Sequence, residues 1–261
     1  MPTFLFDNIV FGPVNSRRLG VSLGINLLPS STKLCNFNCI YCECGWTNKS
    51  EPERGSLPRR DEVYKALDRK LSGLKIINKA PDVITFAGNG EPTLHPDFPL
   101  IVDDCIELRN KYFPGTRIAV LSNSSLITKP AIKEALLKVD QNILKLDSGF
   151  DLTVRIHNQP RINIKVAELI NNLKEFKGQL IIQTLFLRGT FKGKVIDNTT
   201  PEELKVWLSA IQMIRPFEVM IYTISRDTPE GKGDLSKVPL KELNRIARMV
   251  NRLGIKTSVS D

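Results

Sequence analysis

Cysteine is scarce in this chain and unevenly placed: five residues in 261, none before Cys35, and four of the five within Cys35–Gly45. A chain this long can bury a full core, so it has no need of covalent staples. The opening MPTFLFDNIVFG lacks the basic segment and long apolar run of a secretory signal. No apolar stretch approaches the roughly 20 residues that cross a bilayer. These absences predict a cytoplasmic protein with no membrane partner, in a compartment where thiols stay reduced. Clustered cysteines there bind metal or do chemistry more often than they form disulfides. Histidine is rarer still: His95 and His157 are alone, and neither has a cysteine neighbour. Internal repeats, low-complexity tracts and a convincing linker are also missing. The expectation is a single domain over 1–261, with 1–19 as an N-terminal extension.

What is present is an alternation of short apolar runs and amphipathic helices. Gly20–Pro29, Asp82–Gly88, Arg117–Asn123, Asn142–Ser148, Gln179–Leu187 and Phe217–Ser225 have strand character, rich in Val and Ile and bounded by Gly, Asp or Ser. Helical spacing recurs at Val166, Leu169, Ile170 and Leu173, at Leu204, Trp207, Leu208 and Ile211, and at Leu243, Ile246, Ala247 and Val250. Thr200, Pro201 and Glu203 form a helix-start signature. Arg252–Val259 ends the last helix at Gly254 and begins another apolar run. Ser50–Glu62 is a polar loop.

Six β/α units predict an α/β fold with parallel strands: a partial (β/α)6 barrel like part of a TIM barrel, over 20–261. A doubly wound open sheet has the same periodicity. In both, ligands bind at the carboxyl ends of the strands.

The loop after the first strand carries Cys35, Cys39 and Cys42, spaced C-x3-C-x2-C. Structural zinc sites close with four protein ligands, and a second cysteine pair is missing here. Cys105 lies in a helical stretch and reads as a small buried hydrophobe. Cys44 is either a fourth ligand of a closed electron-transfer cluster or a non-ligating neighbour. Its tight spacing from Cys42 favours the neighbour.

This cysteine spacing, with Tyr41 just before the last cysteine and a (β/α) fold around it, resembles the radical S-adenosylmethionine (SAM) superfamily. The resemblance implies an enzyme with an oxygen-sensitive 4Fe-4S cluster on Cys35, Cys39 and Cys42, whose open iron chelates the amino and carboxylate groups of SAM. It implies reductive cleavage of SAM to methionine and a 5′-deoxyadenosyl radical that abstracts hydrogen from substrate. It also implies a reductant such as flavodoxin or ferredoxin. A non-catalytic iron–sulfur or metal-binding module is the rival class.

The other strand ends supply polar residues. Where the superfamily usually has Gly-Gly-Glu to receive the SAM ammonium, this chain has Asn89, Gly90 and Glu91. A plain glycine-rich turn is the alternative for that stretch. Ser122 and Asn123 are candidates for the SAM carboxylate or ribose, though alone they resemble a helix-cap loop. Lys145 and Asp147 share a strand face and can meet carboxylate and ribose hydroxyls. Gln183 points opposite to Thr184, and Tyr222–Pro229 lies near where the superfamily holds adenine.

Phe11–Pro29, the cysteine loop, Gly88–Pro96 and Lys145–Gly149 further resemble a bacterial group related to the tRNA wyosine-synthesis radical SAM enzymes. The resemblance runs through about Gly189; the substrate does not transfer with the fold, but the resemblance favours an RNA, tRNA in particular. Those enzymes carry an additional N-terminal cysteine set and a lysine that engages pyruvate. This chain has no cysteine before Cys35, and neither Lys33 nor Lys145 matches that lysine's motif. A net charge of +9 suits an anionic partner, but basic residues scattered on solvated faces give the same total. No RNA-binding module is recognisable. Modification or activation of a protein or small metabolite is the alternative reaction.

Overall fold

The computed structural model describes residues 4–47, 57–225 and 233–261. The stretch 50–56 of the polar loop and residues 226–229 of the sixth strand end lie outside the described residues.

The chain begins with β1 (Val10–Ser16), which pairs antiparallel with β2 (Gly20–Ile25). Then follow α1 (Arg60–Ile76), β3 (Val83–Phe86), α2 (Phe98–Tyr112), β4 (Arg117–Ser122), α3 (Pro130–Lys138) and β5 (Gln141–Lys145). After them come α4 (Asp151–His157), α5 (Val166–Lys174), β6 (Ile181–Phe191), β7 (Lys194–Asp197), α6 (Pro201–Ile214) and β8 (Glu218–Thr223). The last elements are β9 (Gly233–Lys237), α7 (Leu240–Asn251) and β10 (Lys256–Ser260). No helix among the described residues is long and apolar enough to cross a membrane.

From β2 to β10 the main sheet is parallel, in the order β2-β3-β4-β5-β6-β8-β10. That order never reverses, so it has no switch point of the kind that defines a doubly wound sheet. The result is a partial barrel with helices outside. All six expected strands are present. Thr200 caps α6 as expected, its Oγ1 accepting from the Glu203 N–H at 3.3 Å.

Alternation along the strands separates two apolar layers. Leu23, Ile84, Phe86, Ile118, Val120, Leu144, Ile182, Val219 and Ile221 pack against the helices. Burial of each stabilises the fold by about 1.5–3 kcal/mol before entropy is counted. On the inner face Val83, Ala119, Ile143, Ile181 and Met220 form a floor, plugged by Leu19 from the β1–β2 turn. The same turn reaches across the barrel. Arg17 donates to the carbonyl of Asp261. Arg18 donates to Gln183 Oε1 at 3.1 Å and stacks over the Tyr222 ring at 4.4 Å.

The strands that periodicity did not announce are antiparallel additions. β6 runs on to Phe191, and β7 and β9 pair with its far half. Gly189 (φ +134°) permits this, because a Cβ there would stand 1.9 Å from the Asp234 carbonyl oxygen. Lys192 and Gly193, both with positive φ, make the two-residue hairpin turn.

Candidate functional site

The cysteine loop lies across the carboxyl ends of the parallel strands and is clamped from two sides. On one side Leu34 donates to the Asn89 carbonyl at 2.9 Å, and Glu91 N–H donates to the Leu34 carbonyl at 3.1 Å. Gly90 (φ +143°) allows that approach: a Cβ would fall 1.8 Å from the Leu34 oxygen. On the other side Ile40 donates to the His157 carbonyl at 2.9 Å and Asn38 to the Asn158 carbonyl at 3.0 Å. Arg161 N–H closes this clamp on the Asn36 carbonyl at 2.8 Å. A loop without a regular element is thereby held in place through its backbone groups.

The sulfurs are placed to accept hydrogen bonds. Asn158 Nδ2 stands 3.5 Å from Cys39 Sγ and Asn123 Nδ2 3.7 Å from Cys35 Sγ. The Phe37 N–H lies 3.4 Å from Cys35 Sγ. Cys44 Sγ donates to the Gly88 carbonyl oxygen at 3.5 Å. Hydrogen bonding with neighbouring Cys44, with help from Lys33, holds Cys42 below the ordinary thiol range, and Cys44 is pushed up by Cys42 and by burial. Burial pushes Cys35 up to about 12 and also raises Cys39. Lys33 is 3% exposed and donates to the Gly45 carbonyl at 2.8 Å. Burial works against its charge, but Cys42, Cys35 and Cys39 outweigh it and raise its pKa. Cys105, as expected, is a buried core thiol.

Asn89 and Glu91 are fully engaged within the chain. Asn89 Oδ1 accepts from Phe6 N–H at 2.8 Å, and its Nδ2 donates to the carbonyls of Phe6 (2.9 Å) and Pro29 (2.8 Å). A glycine there would lose all three bonds, which accounts for an asparagine at this position. Glu91 is buried and collects the Thr93 hydroxyl at 2.6 Å, the Thr93 N–H at 3.2 Å, the Ser122 hydroxyl at 2.9 Å and the Asn123 N–H at 2.6 Å. Its carboxylate therefore ties the end of β3 to the end of β4. Asn123 continues the bracket to the cysteine loop through Asn36 Oδ1 at 2.7 Å.

Tyr41, Lys145 and Asp147 meet in one network at the barrel mouth. The Tyr41 hydroxyl donates to Asp147 Oδ2. Asn158 Nδ2 donates to the same oxygen at 2.7 Å, and Leu185 N–H to Oδ1 at 2.9 Å. Lys145 Nζ stands 3.0 Å from the Tyr41 hydroxyl and 3.5 Å from both Asp147 Oδ2 and the Tyr222 hydroxyl. Burial opposes the charge on Lys145, but Asp147, Tyr222 and Cys39 more than offset it and raise its pKa. Gln183 pairs in register with Lys145 on one side and with Met220 of the floor on the other. Its amide oxygen is taken by Arg18.

Arg18 and Asn158 belong to this site although nothing in the sequence assigns them a role in it, and Tyr222, the first residue of the stretch expected near the adenine, joins them. Asn158 sits in the turn His157–Pro160, whose proline was its one signal. Arg18 reaches the lumen only because the hairpin folds under the floor.

The family model of the radical SAM superfamily matches residues 30–196. The chain belongs to the radical SAM superfamily. It is 33% identical over 228 residues to a protein named GTPase Obg from Brachyspira hyodysenteriae, covering 86% of this chain and 31% of that one. It therefore spans under a third of that relative. A UPF0026 protein of Helicobacter pylori is 32% identical over 240 residues, 88% of this chain and 70% of its own length. Among solved structures, a radical SAM methyltransferase from Sphaerobacter thermophilus superposes with TM-score 0.66 at 12% identity, covering 92% of this chain and 65% of that one. Archaeal TYW1 gives 0.53 at 16% identity, covering 88% and 71%. Both likenesses concern the fold.

A radical SAM domain typically uses SAM and a 4Fe-4S cluster. Cys35, Cys39 and Cys42 fit the cluster by their chemistry: Cys39 is buried, Cys35 and Cys42 are half-buried, the sulfurs of Cys35 and Cys39 accept amide hydrogen bonds, and the Lys33 ammonium is buried in the same loop. Among the described residues, no three His, Cys, Asp or Glu side chains surround one point as a single metal ion requires. A cluster asks instead for thiolates on separate irons.

Proposed function

We propose that residues 1–261 form a single cytoplasmic radical SAM domain that binds one oxygen-sensitive 4Fe-4S cluster through Cys35, Cys39 and Cys42. The observation that carries this reading is the doubly clamped cysteine loop, whose sulfurs accept amide hydrogen bonds beside Lys33. When bound and reduced, by a flavodoxin or ferredoxin, such a cluster supplies the electron that cleaves SAM to a 5′-deoxyadenosyl radical. The chain's own residues then have separable tasks. Asn89 and Glu91 act indirectly: they hold Gly88–Gly90 and the end of β4 in place for the SAM amino group. Lys145 offers an ammonium to the SAM carboxylate, while Ser122 and Asn123, engaged with Glu91 and Asn36, act by holding the end of β4 against the cysteine loop. Asp147, through Tyr41 and Asn158, fixes the position of that ammonium. Gln183 and Asp147, both buried and with their acceptor oxygens already engaged, serve the ribose side indirectly, by positioning Arg18 and Lys145. The apolar floor excludes water beneath the reacting atoms, so a carbon radical formed above it meets substrate before solvent. Formation of 5′-deoxyadenosine from SAM under a strong reductant tests this reading, and its absence from cluster-loaded protein counts against it.

For substrate, the reading is an RNA, tRNA in particular. It is supported by the motif resemblance to the wyosine-related group and by the net charge of +9. Binding of bulk tRNA is expected to weaken steeply with salt, since each neutralised phosphate releases counterions. No binding at low salt, with an unchanged nucleoside profile in a deletion strain, moves the substrate to a protein or small metabolite.

A further inference from the structure

Lys33 is a lysine with its charge in the wrong place for a solvated surface. Its side chain runs inward from the segment between β2 and Cys35 and is 3% exposed. Its one hydrogen bond to the backbone is to the Gly45 carbonyl, at 2.8 Å, on the far side of the cysteine loop. Gly45 N–H in turn donates to the Cys42 carbonyl at 3.0 Å, and Lys33 lies two residues before Cys35, so the ammonium is held inside the loop that carries the three cysteines. The sulfurs of Cys42, Cys35 and Cys39 favour its charged form against burial. A buried ammonium is costly unless a negative charge shares its space. Here that space belongs to three cysteines, and the loop wraps the ammonium instead of turning it out to water, where so long a side chain would readily snorkel.

We infer that Lys33 is an electrostatic partner of the iron–sulfur cluster, placed to favour its reduced state by offsetting the electron that reduction adds. The inference rests on the cluster reading given above. Three thiolates and a cluster in a water-poor pocket concentrate negative charge, and one further electron is harder to add there than in water. A fixed positive charge held among the same sulfurs lowers that cost. The Lys33 ammonium is tied to the Gly45 carbonyl, which keeps the charge within the cysteine loop. Lys33 thus acts on the electron-accepting step as a positioning residue for charge, without touching SAM.

The test uses the full chain, reconstituted anaerobically without SAM, as wild type, Lys33→Met and Lys33→Arg. Iron per chain is measured first, and then the midpoint potential by a dithionite titration followed by EPR. Lys33→Met is expected to disfavour reduction at least tenfold, a shift of about 59 mV to more negative potential for one electron. Lys33→Arg, which keeps the charge, is expected to stay within about threefold of wild type. Iron retained by Lys33→Arg and lost from Lys33→Met also supports the inference, because charge then decides whether the cluster is held. An unchanged potential in cluster-bearing Lys33→Met overturns it. So does loss of iron from both variants, which would make the shape of the side chain, not its charge, the deciding property. Wild-type protein that takes up no iron overturns the cluster reading and this inference with it, whereas the other two results overturn the inference alone.

Discussion

Removal of the Asp147 carboxylate is expected to be among the most damaging single changes in the barrel mouth. The side chain of Asp147 is 0% exposed and that of Lys145 12%, with 3.5 Å between charge centres. Asp147→Ala leaves the Lys145 ammonium with only the hydroxyls of Tyr41 and Tyr222, and frees the Leu185 N–H and the Asn158 amide. Breaking a buried ion pair from one side costs about 3–5 kcal/mol. That is a large part of the roughly 5–15 kcal/mol by which a domain is stable. Lys145→Met is gentler, about 1.5–3 kcal/mol, because Asp147 keeps three donors. The double variant is expected to cost less than the sum, since no ammonium remains to be orphaned. Urea unfolding of the cluster-free protein at pH 7, under reducing conditions and with m-values compared, gives all four stabilities. An Asp147→Ala cost under about 1 kcal/mol, or strict additivity in the double variant, would refute the reasoning.

His157 is buried and its pKa is lowered by that burial to about 4, from an ordinary 6.5. The unfolded chain therefore takes up a proton that the folded chain refuses. Stability is full above about pH 6.5 and declines by about 3 kcal/mol as pH falls toward 4. Unfolding free energies measured across that range should show this slope in wild type, and His157→Gln should flatten it. Glu91→Gln should cost about 1–3 kcal/mol, because an amide NH2 would face the Asn123 N–H that now donates to the carboxylate. Amide exchange at Asn123 should quicken in that variant, and unchanged protection there would contradict the bracket between β3 and β4.

Much of the architecture was legible because packing dictates it. Parallel strands buried on both faces give the short Val- and Ile-rich runs, and helices between them show one apolar stripe each. The antiparallel additions were harder. β7 has Val195 largely exposed and only Ile196 buried, so its pattern carries little hydrophobic signal, although Lys192–Gly193 was a usable turn cue. Periodicity also left a doubly wound sheet open. Strand order excluded it, and order depends on which edges meet, a long-range property. At the site, spacing identified the cysteine loop, but chain distance hid its supports. Asn158 lies 119 residues from Cys39, and Arg18 lies 165 from Gln183. The roles of Asn89 and Glu91 were legible only as polar residues at a strand end. That every polar atom of their side chains is taken up inside the chain is a three-dimensional fact.

The central claim is that three cysteines, and not four, hold a cluster that reduces SAM. Anaerobic reconstitution of wild type and of single alanine variants at Cys35, Cys39, Cys42 and Cys44, with iron, sulfide and 5′-deoxyadenosine measured on each, tests it most directly. The account predicts about four irons and four sulfides per chain in wild type. It predicts loss of the intact cluster and of 5′-deoxyadenosine in the Cys35, Cys39 and Cys42 variants, and retained iron in Cys44→Ala. Stoichiometric zinc without iron, or a Cys44→Ala protein that loses its cluster as completely as the other three, would contradict it.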